Sequence, residues 1–127
     1  MSKRTKIGIS HGDINSISYE VIMKAVKDKR LLELCIPIIY GSPKVAAYHK
    51  KALDLEELNM NTIKTSDEAS NRRVNIINCI SDDIRVELGK STRQAGEASF
   101  QALQAAVADL AGNKIDALVT GPINKQN

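Results

Sequence analysis

Two short polar segments, each following an apolar run, hold most of the side chains in this chain whose types and spacing could do chemistry. The first is Ser10-His11-Gly12-Asp13-Ile14-Asn15-Ser16-Ile17-Ser18-Tyr19-Glu20, where a glycine permits close backbone approach and carboxyl, hydroxyl and amide groups crowd together. The second is Thr120-Gly121-Pro122-Ile123-Asn124-Lys125, which sets a hydroxyl, an amide and an ammonium in succession. Lys125 could pair with a phosphate or carboxylate, and Asn124 could fix a substrate hydroxyl. Each segment also reads as a turn before a helix, the first with a cap and the second with Lys125 solvated, and for the second the residues alone favour the turn.

Other chemistries find little support. A transition-metal site takes about four His, Cys or carboxylate ligands, yet the chain has two histidines, His11 and His49, without ligand spacing. His49 falls on a predicted helix and reads as a surface or packing residue. Neither a G-x-G-x-x-G fingerprint nor a G-x-x-x-x-G-K-[ST] phosphate loop is present, so a Rossmann-type dinucleotide site is not supported. Cys35 and Cys79 sit in or beside apolar segments and read as buried reduced thiols.

The elements that would position the two segments alternate in type. Lys6-Ile7-Gly8-Ile9-Ser10 reads as a buried strand running into the first loop. Ser18 is placed to cap a helix through Val21, Ile22, Ala25 and Val26, with a second short turn at Leu31, Leu32 and Leu34. Ile36-Pro37-Ile38-Ile39-Tyr40 has strand composition, and Pro37, lacking a donor, belongs at the strand's start or at an edge. Gly41-Ser42-Pro43 then opens a helix through Val45, Ala46, His49 and Leu53. Leu55 to Arg73 is polar, with a weak strand at Thr62-Ile63-Lys64 and a loop or helical turn around Ser66 to Asn71. Val74 to Ile80 is a better strand, and Ser81 to Gln94 reads mainly as loop. From about Gly96 to Ala111 the positions Leu103, Ala106, Val107 and Leu110 make one helical stripe, with Phe100 at its upstream edge and Gly112-Asn113 as the stop. Ile115 to Thr120 is the last strand.

Strands alternating with helices favour a mainly parallel sheet, because each crossover helix covers a sheet face and returns the chain in the same direction. The predicted class is an α/β three-layer sandwich forming one lobe over residues 1–127. At this length roughly two thirds of the unfolded surface is buried on folding, and 43% hydrophobic with 26% charged residues is ordinary globular usage. No apolar run nears the roughly 20 residues of a membrane span, nor does the N-terminus hold the apolar core of a secretory signal, so no membrane partner and a cytoplasmic location are expected. A formal charge of +3 with interleaved acids and bases, and 3% aromatics, argue against nucleic acid.

Taken in order, these segments resemble the N-terminal portion of the 4-hydroxythreonine-4-phosphate dehydrogenase family of vitamin B6 biosynthesis. In that family's G-D-P-A-G-I-G-P-E loop, Gly12, Asp13, Ile17 and Glu20 match, while Ile14, Asn15, Ser16, Ser18 and Tyr19 depart from it. Tyr40-Gly41-Ser42-Pro43, the spacing of Gly89-Lys90-Ser91 and Gly96, and Ile115 through Lys125 follow in the expected order; the last, close to T-x-P-I-N-K, is the most specific. The resemblance covers nearly the whole chain. It implies an isocitrate/isopropylmalate dehydrogenase-like fold, a two-domain subunit of which this is the incomplete N-terminal portion, and a homodimer with its active site in the interdomain cleft. It implies that NAD or NADP takes hydride from a secondary alcohol of a small phosphorylated hydroxy amino acid. A divalent metal such as Zn, Mg or Co polarises the alcohol, and decarboxylation follows.

On the same resemblance, Asp13 and Glu20 shape the cleft, and Thr120, Asn124 and Lys125 line its substrate side. The family's G-H-T-E motif and three metal-binding histidines lie downstream of T-x-P-I-N-K and have no counterpart here. No catalytic centre, cofactor-binding residue or metal ligand is therefore assigned within the chain, which alone is expected to be inactive. The alternatives are a related dehydrogenase for a four-carbon sugar acid phosphate and a non-catalytic small-molecule-binding lobe.

Overall fold

The computed structural model describes residues 4–81 and 83–122. Strand β1 (Thr5–Ser10) leads into helix α1 (Ser18–Val26) and the short α2 (Lys29–Leu34). Strand β2 (Cys35–Gly41) and helix α3 (Pro43–Ala52) follow, then β3 (Met60–Ile63), a 3-10 turn at Ser66–Glu68, and β4 (Val74–Asn78). A loop then runs to the long helix α4 (Arg93–Ala111), and β5 (Ala117–Thr120) closes the described part. All four strand pairings are parallel, in the order β3-β4-β2-β1-β5.

Burial divides the core into two layers. Ile39 and Ile76 face one way and pack with Ile22, Met23 and Val26 of α1 and Val45 and Ala46 of α3. Ile36, Ile38 and Tyr40 face the other way and pack with Ala102 and Ala106 of α4 and with Ile115. Period-two alternation along β2, a strand buried throughout, thus feeds both cores, as a sheet covered on both faces requires. The three-layer α/β sandwich with a parallel sheet is the observed fold.

Local signals account for most helix starts. Ser42 caps α3 by accepting from Val45 N, with Pro43 in its first turn, and Thr92 caps α4 by accepting from Ala95 N at 3.0 Å. That second cap starts α4 at Arg93, ahead of the expected Gly96. Ser18, expected to cap α1, is instead inside the helix, and its hydroxyl donates to the His11 carbonyl.

Two further expectations are corrected. Pro37 lies in a central strand, not an edge one. Its carbonyl takes Asn75 Nδ2 at 3.2 Å, so its nitrogen also faces β4, below Ile38↔Asn75 where the ladder between the two strands begins. The missing donor therefore interrupts no ladder bond. In α4 the buried residues are Ala95, Ala98, Ala102 and Ala106, whereas Phe100, Val107 and Leu110 are exposed. At 3.6 residues per turn the two stripes lie roughly a third of a turn apart. Small residues let this helix approach closely where β1 presents Gly8, at which a Cβ would stand 2.5 Å from Ile115 Cδ1 and 3.0 Å from Tyr40 Cε1.

Candidate functional site

The direction of strand addition reverses between β1 and β5. From β1 the chain moves outward to β2 on one side, and after β4 it crosses over α4 to pair β5 on the other. Open parallel sheets commonly hold their ligands at such a reversal, beyond the carboxyl ends of the strands. The two polar segments emerge there, side by side.

They are fastened to each other. Asp13 N donates to Pro122 O at 2.8 Å, and Gly121 N donates to Ser10 O at 2.9 Å. Gly12 has a φ of +68°, and a Cβ on it would fall 2.3 Å from Pro122 O. Glycine at this position serves loop-to-loop packing, since the Pro122 carbonyl fills the space that a side chain would take.

A third loop, ahead of α4, is tied on by Asn15, which is 1% exposed. Its Oδ1 accepts from Glu87 N at 2.7 Å and its carbonyl from Gly89 N at 2.7 Å. Its Nδ2 donates to Lys90 O at 3.1 Å and contacts Thr92 Oγ1 at 3.3 Å. One amide thereby binds the Gly89-Lys90 segment to the Gly12 loop.

Beneath the loops lies a buried polar network. His11 Nε2 donates to the Ala98 carbonyl at 3.0 Å, which leaves Nδ1 to accept from the Tyr19 hydroxyl at 2.6 Å. The Tyr19 oxygen in turn accepts from Ser42 N at 3.2 Å. The Tyr19 ring stacks on His49 with centroids 5.0 Å apart, and His49 Nε2 donates to Ile14 O at 2.8 Å. Desolvation pushes His11 down to about 4 and lowers His49 as well, while burial raises Tyr19. All three are neutral near pH 7 and act as ties among β1, α1, α3 and α4.

Of the residues expected to line a cleft, Asp13 is buried in the first loop, its Oδ1 accepting from Asn15 N at 3.0 Å. Thr120 is exposed at the end of β5, in register with Ser10, so Asp13 and Thr120 lie on adjoining loops. Glu20 sits in the first turn of α1 and pairs with Lys24 at 2.8 Å. Asn124 and Lys125 lie outside the described residues.

His11, Asn15 and Tyr19 matter more to this region than their places in the sequence suggested. Their types were visible in the first segment, but the partners Ala98, Glu87 and Lys90 lie more than 70 residues away, and no local pattern announces them. The described residues do not fit a divalent metal. No three His, Cys, Asp or Glu side chains gather among them, and His11 and His49 give ring nitrogens to protein partners.

Comparison with known proteins agrees with this architecture. The sequence model described as "Pyridoxal phosphate biosynthetic protein PdxA" matches residues 33–127. A 4-hydroxythreonine-4-phosphate dehydrogenase of Bacteroides thetaiotaomicron is 48% identical over 122 residues, covering 96% of this chain and 33% of that protein. A putative D-threonate 4-phosphate dehydrogenase of Oceanobacillus iheyensis is 31% identical, covering 99% of this chain and 39% of that protein. The crystal structure of a 4-hydroxythreonine-4-phosphate dehydrogenase from Burkholderia phymatum superposes with a TM-score of 0.86 at 27% identity, over 98% of this chain and 38% of that one. The chain thus spans about a third of the length of the relatives it matches, and the expected isocitrate/isopropylmalate dehydrogenase-like framework is the one it shares with them. On the family match and this shared framework, the chain belongs to the pyridoxal phosphate biosynthetic protein PdxA family.

Proposed function

We propose that this chain forms one wall of the active-site cleft of a dehydrogenase that oxidises 4-hydroxythreonine 4-phosphate on the route to pyridoxal phosphate. The observation that carries this reading is the meeting of the Gly12 and Gly121 loops at the switch point between β1 and β5, in a chain 48% identical to a dehydrogenase of that name. In this reading the enzyme is a cytoplasmic homodimer of two-domain subunits, and the chain is the N-terminal part of one lobe. Hydride passes to NAD or NADP, decarboxylation follows, and the divalent metal is held by the rest of the enzyme, because the residues described here do not fit it.

Within the wall, the hydrogen bonds of Asn15 and the packing of Gly12 on Pro122 hold the loops in one arrangement. That order is prepaid, so substrate binding need not supply it. Thr120, Asn124 and Lys125 meet the substrate, with Lys125 on its phosphate or carboxylate, while Asp13 and Glu20 shape the cleft. In the longer enzyme, Lys125→Ala should raise KM or lower kcat without changing the melting temperature; unchanged kinetics would remove Lys125 from the site. The 127-residue chain by itself should give no NAD reduction with this substrate, and robust metal-dependent turnover would overturn the division of labour.

A second reading, oxidation of a four-carbon sugar acid phosphate, is favoured by relatives named putative D-threonate 4-phosphate dehydrogenase at 31–32% identity. The higher identity to a protein named 4-hydroxythreonine-4-phosphate dehydrogenase supports the first reading over it. Side-by-side kcat/KM values for the two substrates separate them.

A further inference from the structure

At the opposite end of the sheet, below the amino ends of β3 and β4, a cavity of about 440 Å³ opens between the α1–α2 junction and the turns that precede these strands. Its inner wall is apolar, made by Val26, Leu32, Leu58 and Val74. Around it stand four cationic side chains, Lys27, Lys29, Arg72 and Arg73, against the single acid Glu57. Among the described residues none of the four takes part in an ion pair, although five other pairs form on this surface, and Arg73 Nη1 donates only to the neutral Asn61 Oδ1 at 3.3 Å. Arg72 holds a φ of +61°, a left-handed backbone that an arginine rarely adopts.

Four unneutralised cations brought together from two segments repel one another, and an apolar hollow beside them remains wet unless something enters it. A volume of this size suits a small molecule. An inorganic anion would satisfy the charges and leave the hollow empty, whereas a neutral apolar compound would do the reverse. We propose that this cavity binds a small organic phosphate monoester with a compact apolar body, the phosphate among Lys27, Lys29, Arg72 and Arg73 and the body against Val26, Leu32 and Val74. The site is at the opposite end of the sheet from the Gly12 and Gly121 loops and does not depend on the dehydrogenase reading.

The test is a two-dimensional amide NMR titration of the full chain with phenyl phosphate, inorganic phosphate and phenol in separate arms. Phenyl phosphate should give saturable shifts clustered at 26–32, 57–59 and 72–74, with affinity falling as salt rises and at least tenfold tighter than either partial ligand. Arg72→Gln with Arg73→Gln should weaken phenyl phosphate at least tenfold. Lys27→Gln with Lys29→Gln, on exposed helix-end positions, should weaken it severalfold and covers the case in which the arginine variant fails to fold. Inorganic phosphate binding as tightly as phenyl phosphate would reduce the site to a charged patch and overturn the proposal. Equal binding of phenol, or no saturable shifts, would also overturn it. So would tighter binding at the same amides by an acidic peptide, which would reassign the surface to a protein partner.

Discussion

Gly12 carries two requirements at once, a left-handed backbone and room for the Pro122 carbonyl, and only glycine meets both. Gly12→Ala should therefore cost upward of about 2 kcal/mol in urea unfolding, because neither Pro122 O nor Gly121 can yield without breaking the bond from Asp13 N. Tyr19→Phe removes a hydroxyl that donates to His11 and accepts from Ser42 N; leaving two buried partners unpaired should cost about 2 kcal/mol or more. His11 gives a pH dependence of definite sign. An unfolded histidine takes up its proton near 6.5, but the folded one does so only near 4, so between those values the unfolded state holds more protons. Its contribution, about 3 kcal/mol, is complete above pH 6.5 and lost as pH falls toward 4, and His49 acts in the same direction. Urea midpoints at pH 7.5 and 4.5 should show the loss, and His11→Gln should flatten the slope while lowering stability throughout. These side chains were all in view in the sequence, but their roles were not, since a buried histidine and a ligand histidine look alike until their partners are known.

Elements were more legible than the contacts between them. Period-two and helical spacing gave the order of strands and helices, and Ser42-Pro43 gave a helix start, because these signals act over a few residues. Strand order was not readable, since β5 pairs with β1 across more than a hundred residues. The instructive difference is α4, where of the stripe Leu103, Ala106, Val107 and Leu110 only Ala106 is buried. The sheet instead receives the alanines, which permit close approach over Gly8 and Tyr40, and Tyr40 OH reaches Asp109 Oδ2 at 2.6 Å from that strand. Two substitutions decide between the stripes. Ala102→Leu, at a fully buried position, should cost about 1–3 kcal/mol or more through overpacking. Phe100→Ala, at a residue 60% exposed, should change stability by less than about 0.5 kcal/mol. Equal costs, or the reverse order, in thermal or urea unfolding would mean that the helix is rotated.

At the scale of the whole molecule the two sheet edges differ in character. The β3 edge, Met60-Asn61-Thr62-Ile63, carries polar residues and is followed by Lys64, and Asn61 is engaged by Asn75, Ser70 and Arg73. The β5 edge, Ala117-Leu118-Val119-Thr120, has no charge, pairs among the described residues only with β1, and leaves Val119 54% exposed. The same molecule also leaves Phe100, Val107 and Leu110 of α4 in contact with solvent. An uncharged strand with one free ladder edge is a template for another strand, and natural sheets commonly blunt such edges with lysine. The purified chain should therefore associate as its concentration rises, and the contact should run through β5. Sedimentation velocity should show a mass that grows above 13.9 kDa. Val119→Lys should return it toward the monomer without loss of stability, while Thr62→Lys on the opposite edge should leave association unchanged. A wild-type chain that stays monomeric at all concentrations, or equal effects of the two lysines, would show that the β5 edge is not the surface through which this molecule associates.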